Sequence, residues 1–148
     1  MLEWYEAGAG YRSLVPFTRD LLNHAAAALG SEGQAATARL GLAGPWLEIS
    51  VHEAFAKYAG ESPEAALRAG RFEELLVGQV EPALPRERPV VLMDYPAELA
   101  ALAQVRADAP ALAERWELYL GGIELANAYG ELTDPAEYRR RFAKFATE

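Results

Sequence analysis

The sequence predicts an α+β fold, and three observations carry that expectation. "WELYLGGIELANAY" (116–129) is two alternating runs around a Gly-Gly pair, the pattern of a β-hairpin. "RPVVLMDYP" (88–96) is a continuous apolar run with proline at both ends, the pattern of a buried strand. Other segments place apolar residues at helical period behind capping residues. The expected architecture is an antiparallel sheet with helices packed on one side, in a single unit over 1–148.

The elements follow in chain order. "MLEWY" alternates, with Met1, Glu3 and Tyr5 on one side and Leu2 and Trp4 on the other, as a strand does. Gly8 and Gly10 break it. From Ser13, the positions Leu14, Phe17, Leu21, Leu22, Ala25 and Leu29 keep a helical period that Gly30 ends. Residues 30–45 are rich in Gly, Ala and small polar types and predict a flexible connection. Ser50 followed by Glu53 predicts a capping box, with Gly60 stopping that helix. Ser62-Pro63-Glu64 opens a short helix to Ala69. Phe72, Leu75, Leu76 and Val80 mark another. Residues 97–115 are Ala-rich and expected to be helical or irregular. Asp134-Pro135 caps a last helix to about Phe145.

Composition narrows the function classes. The 148 residues are 51% apolar and 24% charged, which suits one soluble globular domain with a real core. A formal charge of −8 argues against a free-standing nucleic-acid binder, because phosphate affinity comes from clustered Lys and Arg. The absence of cysteine excludes disulfides and Cys-ligated zinc, and suits the cytoplasm. No stretch is long and apolar enough to span a membrane, and the start reads as structure rather than as a leader.

The hairpin can be worked out further. A two-residue turn at Gly121-Gly122 sets Leu120 opposite Ile123, Tyr119 opposite Glu124, Leu118 opposite Leu125 and Glu117 opposite Ala126. Trp116, Leu118, Leu120, Ile123 and Leu125 then form a core face. Glu117, Tyr119, Glu124 and Ala126 form the other. Glu117 and Glu124 become diagonal neighbours with stems roughly 7–8 Å apart. Two carboxylates so placed repel unless water, a base or a cation lies between them, and such a pair suits Mg²⁺ held with substrate phosphates. The alternative is a solvated polar face. Asn127 has the wrong parity for that face and joins it only through a bulge or past the strand's end. Glu131 stands on a loop beside Gly130, where a solvent-facing side chain is the alternative to a binding role. Glu3 and Tyr5 share a face, and such a pair can bind an ammonium group or line an exposed edge.

The remaining candidates are plainer. His24 and His52 have no neighbouring ligand or nucleophile and are expected at the surface. Trp4, Trp46 and Trp116 are expected in the core. "EYRRRF" (137–142) is a basic turn that can touch a phosphate or an acidic partner, or simply form a solvated helix face.

"MLEWYE", "DYPAELAALAQ" and "AERWELYLGGIELANAYGELTDPAEYRRRF" resemble the catalytic core of class II lysyl-tRNA synthetases. Within that family they look most like the stand-alone paralogue that attaches (R)-β-lysine to a lysine of elongation factor P. The resemblance runs through almost the whole chain and is weakest across 30–90. It implies ATP and Mg²⁺ as cofactors. Glu117 and Glu124 match the carboxylates that hold magnesium on ATP. Asn127 matches the residue that contacts the amino-acid carboxylate, and Glu131 the acid that pairs with the side-chain ammonium. Glu3 and Tyr5 match the end of the second class II motif, where a Glu and a Tyr line the amino-group pocket. "AALA" (100–103) stands where synthetases of this family usually have Ser-Pro, which favours the ligase of elongation factor P.

Two departures qualify the match. Asn127-Ala128-Tyr129-Gly130-Glu131 replaces the family's Asn-Gly-Phe-Ser-Glu, so Ala128 stands beside the ligand in place of glycine. By the resemblance, the chain starts inside the second class II motif and stops before the third, so the expected unit is incomplete and none of its residues is assigned as catalytic. Three functions are expected from this: the ligase of elongation factor P, a lysyl-tRNA synthetase fragment, or a non-catalytic interaction module. The last would associate with itself or with a complementary chain through an unpaired edge near Met1.

Overall fold

The computed structural model describes residues 1–145. The chain runs through a 3₁₀ turn at Tyr11–Ser13, then α1 (Leu14–Ala28), α2 (Gly30–Leu40), β1 (Leu47–Ser50), α3 (Val51–Tyr58) and α4 (Pro63–Arg68). A helical segment follows: α5 (Phe72–Leu75), a π turn at Leu76–Val80 and α6 (Glu81–Ala83). The chain ends with β2 (Val90–Met93), β3 (Arg115–Leu120), β4 (Ile123–Tyr129) and α7 (Pro135–Phe145). The sheet order is β1-β2-β3-β4. The α+β class is as expected. The β2–β3 and β3–β4 pairs are antiparallel, while β1 and β2 run parallel, joined through α3–α6.

Helices cover both faces of the sheet, not one. On the first face Ile49, Val90, Leu92 and Tyr119 pack with Val51, Phe55, Phe72, Leu75 and Val80. On the second, Trp46, Val91, Met93, Trp116 and Leu118 pack with Tyr11 and Val15. Enclosure on both faces is why β2 is apolar without alternation, with Val90, Val91 and Leu92 all fully buried.

Three local expectations are overturned. "MLEWY" is no strand: it joins no ladder, and Met1, Leu2 and Tyr5 are exposed. Alternation supplies a strand only where a neighbour offers hydrogen bonds. The expected unpaired edge is therefore not formed by the segment at Met1; the edges are β1 and β4. Trp4 is likewise outside the core, tilted against Phe17 with ring centroids 5.4 Å apart. Residues 30–40 are helical rather than a flexible connection. Their small residues serve close packing: a Cβ on buried Gly33 would come within 1.7 Å of the Ala26 carbonyl oxygen of α1.

Other expectations stand. Trp46 and Trp116 are buried, and His24 and His52 are exposed. Residues 97–114 are irregular, with a 3₁₀ turn at Ala97–Leu99 and isolated bridges. Asp134 caps α7, its carboxylate accepting from the Ala136 N–H at 2.8 Å. Ser50 and Glu53 form the reciprocal capping box of α3, with the Glu53 N–H donating to Ser50 Oγ at 3.1 Å and the Ser50 N–H to Glu53 Oε2 at 2.9 Å. The Ser50 bonds hold the Glu53 carboxyl below its ordinary value. No described helix is long and apolar enough to cross a membrane.

Replacing Ser50 with alanine leaves the first turn of α3 uncapped. We expect a loss of about 1 kcal/mol in stability with an unchanged m-value, measured by urea unfolding.

Candidate functional site

The hairpin builds the site. Gly121 and Gly122 turn with φ of 65° and 84°, which glycine adopts without strain. Leu120 faces Ile123 and Tyr119 faces Glu124, as expected. The register then shifts, and Leu118, Glu117, Trp116 and Arg115 face Ala126, Asn127, Ala128 and Tyr129. The expected pairs Leu118–Leu125 and Glu117–Ala126 do not form, because a β-bulge inserts Leu125 as an extra residue. Ala126 takes the inward position against Trp116 and Leu118, while Leu125 and Ile123 are exposed instead of forming core. The bulge also carries Asn127 onto the face of Glu117, a position that regular alternation denies it.

Glu117 is buried at 6% exposure, yet its charge is satisfied. Its Oε2 accepts from the Tyr95 hydroxyl at 2.6 Å and the Tyr119 hydroxyl at 2.9 Å. Its Oε1 pairs with Arg115 Nη2 at 2.5 Å. The Arg115 guanidinium also lies 4.7 Å from the centroid of the Tyr95 ring. Burial and the Glu117 charge push both phenols above their ordinary values. The Tyr119 hydroxyl also lies 3.0 Å from Glu81 Oε1, so a third carboxylate stands behind the pair.

Glu124 is the responsive partner. Its carboxyl is raised above the ordinary value, first by partial desolvation and next by repulsion from Glu117, and the Asn127 side-chain hydrogen bond opposes both. Among the described residues, no group of three or more His, Asp or Glu side chains converges as a metal cage. The donors that are present fit a hard cation held jointly with a phosphate. A carboxylate offers about four lone-pair sites. Three of those on Glu117 are taken, leaving one on Oε1. Mg²⁺ commonly uses one or two such oxygens and completes its octahedron with phosphate and water.

The far end of β4 carries a second acidic group. Tyr5 donates to Glu3 Oε1 at 3.3 Å, so the two sit together without a strand to align them. The Tyr5 phenol is raised by Glu3 first, then more weakly by Glu131 and Tyr129. The Tyr129 phenol is raised by burial, then by Glu131 and Glu3. Glu3, Tyr5, Tyr129 and Glu131 thus form one electrostatic neighbourhood. Among the described residues, neither Glu3 nor Glu131 has an ion-pair partner. The segment that carries Glu3 is anchored at Tyr11: its hydroxyl bonds buried Asp94, and its carbonyl accepts from Trp116 Nε1 at 2.7 Å. Arg12 and Arg106 complete the anchor on Asp94 at 2.8 and 2.9 Å.

The sequence singled out neither Arg115, Tyr95, Glu81 nor Tyr129. Arg115 was within reach, because positions 115 and 117 of one strand share a face. Tyr95 and Glu81 come from other elements, and no local spacing announces them. In "EYRRRF", Arg140 and Arg141 both pair with Glu137, at 2.6 and 2.8 Å. They hold the Glu137 carboxyl down at about 2.

A family model described as tRNA synthetases class II (D, K and N) matches residues 1–148. The chain is 34% identical to the lysine–tRNA ligase of Azoarcus sp. (strain BH72), over 96% of the chain and 33% of that relative. It is 37% identical to the lysine–tRNA ligase of Anaeromyxobacter sp. (strain K), over 95% of the chain and 34% of the relative. With that of Magnetococcus marinus it shares 30%, over 97% of the chain and 33% of the relative. The chain therefore spans about a third of the length of the curated relatives it matches.

The charge of Glu117 helps hold the Glu124 carboxyl up, so its removal acts on Glu124 in one direction. In Glu117→Gln, we expect Glu124 to titrate at lower pH than in the unaltered protein, followed by carboxyl ¹³C shifts. An unchanged titration would show that the two carboxylates do not interact.

Proposed function

The chain belongs to the class II tRNA synthetase family of the D, K and N enzymes, and from that premise we propose that it binds and activates a lysine-like amino acid with ATP and Mg²⁺. One observation carries this reading: Glu131 and Glu3, two carboxylates without an ion-pair partner among the described residues, stand at one end of a strand face that also bears Glu117 and Glu124. A side-chain ammonium entering a partly desolvated pocket needs such a counter-charge. In this reading Glu131 and Glu3 receive the ammonium, with Tyr5 beside them, and Asn127 contacts the substrate carboxylate. Glu117 and Glu124 hold Mg²⁺ on the triphosphate. An oxygen of the amino-acid carboxylate attacks the α-phosphorus, the bond to pyrophosphate breaks, and an aminoacyl adenylate forms.

Two acceptors for the activated group are in question. Lysine–tRNA ligase relatives favour tRNA, with the chain as part of a synthetase. Ala100–Ala103, in place of the usual Ser-Pro, favours a lysine of elongation factor P, with (R)-β-lysine as the group transferred. Either acceptor places the reaction in translation and in the cytoplasm.

Calorimetric titration with α-lysine and with (R)-β-lysine, each with and without MgATP, tests the reading. We expect saturable binding of one isomer, weakened about tenfold or more in Glu131→Gln through loss of a charge-assisted bond. Equal affinity of the variant would remove Glu131 from the pocket.

A further inference from the structure

Glu131 lies on a loop, and an ammonium acceptor must be held to a fraction of an ångström to be useful. Its position is fixed from outside β4. The Gln104 N–H donates to the Gly130 carbonyl at 2.7 Å, and the Leu132 N–H to the Leu102 carbonyl at 2.9 Å. Gln104 Nε2 donates to the carbonyl of Glu131 itself at 2.6 Å. Glu114 closes the assembly: its N–H donates to the Gln104 carbonyl and its carbonyl accepts from the Gly130 N–H, both at 2.8 Å. The Glu114 side chain packs over Gly130, where a Cβ would meet its Oε2 at 2.2 Å and its Cβ at 3.2 Å.

The 101–104 loop is itself pinned. Arg141 of α7 donates through Nη1 to the carbonyls of Ala101 and Ala103, at 2.8 and 2.7 Å. Its Nε pairs with Glu137 at 2.8 Å, which orients the guanidinium. Ala101 has φ of 49°, a left-handed conformation that a non-glycine residue keeps only when its surroundings impose it. Two bonds from one partly buried arginine, one to Ala101 itself, supply that constraint.

We propose that Gln104 is a positioning residue for Glu131, its side-chain amide setting where the Glu131 carboxylate meets the substrate ammonium, with Arg141 holding the loop that presents Gln104. The assignment rests on the lysine-like substrate argued above. Gln104 touches no substrate. It acts on the ammonium end of the pocket and not on the carboxylate pair at Glu117 and Glu124.

The test is a double-mutant cycle of Gln104→Glu and Glu131→Gln, read by NMR shift titration with α-lysine and with norleucine, which keeps the α-ammonium but lacks the side-chain ammonium. Gln104→Glu keeps the side-chain shape and replaces the donor with an acceptor facing a carbonyl. We expect lysine binding to weaken about tenfold, the equivalent of one such bond, while norleucine binding is unchanged. In the Glu131→Gln background, the same substitution should change lysine affinity little. Hydrogen exchange at the Gln104 and Leu132 amides should speed up in Gln104→Glu, and in Arg141→Gln as a second route to the same loop. A merely structural residue would weaken both ligands, and by the same factor in both backgrounds; that result overturns the proposal. Full lysine affinity in Gln104→Glu overturns it too. Failure of the unaltered protein to bind lysine would instead sink the substrate reading, and with it the role of Gln104.

Discussion

One extra residue in β4 decides what the site face contains. Strand side chains alternate with a period of two, so Glu124 and Asn127, three apart, belong to opposite faces of a regular strand. The bulge at Leu125 resets the phase, and Asn127 arrives opposite Glu117. Glu124, Asn127 and Tyr129 then line one face in sequence, with Glu131 just past the strand. The cost of the bulge is visible at Leu125, an apolar side chain left half exposed on an edge strand. Its counterpart on the core side is Ala126, small enough to pack under Trp116 and Leu118.

The second constraint is electrostatic. A carboxylate buried as deeply as Glu117 survives only when hydrogen bonds and a counter-charge replace the water it has lost. Two phenols and one guanidinium meet that need, and they come from β3 itself and from Tyr95 just past β2. This requirement explains why β3 alternates as it does. Arg115, Glu117 and Tyr119 lie on the site face, while Trp116 and Leu118 enter the second core. Sheet packing and site chemistry are thus two faces of one strand.

Much of this was legible in sequence. The Gly-Gly turn, the buried β2, the capping box of α3 and the Asp134 cap each rest on short-range rules, and each formed. What failed was non-local. "MLEWY" has a strand's alternation but no edge to pair with. The Gly-rich stretch after Leu29 has the composition of a loose connection, whereas Gly33 is there for contact. The hairpin register failed at one position because no residue type announces a bulge, although the parity of Asn127 showed that a bulge was one of two ways to use it. Tyr95, Glu81 and Gln104 belong to the site only through tertiary packing, which spacing along the chain does not encode.

The two acidic ends of the face are not independent, and Arg115 is the reason. It pairs with Glu117, lowers the carboxyl of Glu124 and lowers the phenol of Tyr129, so its charge is felt at both ends. Among the described residues it forms an ion pair with Glu117 and none with Glu124. In the proposed reading, a divalent ion held by Glu117 and Glu124 would compete with Arg115 for Glu117 Oε1. Any loosening of that pair would alter the field at Tyr129, which lies beside Glu131 and Glu3. Linkage makes such an effect reciprocal: a cation bound at one end changes the affinity of the other by the same factor in either order of binding.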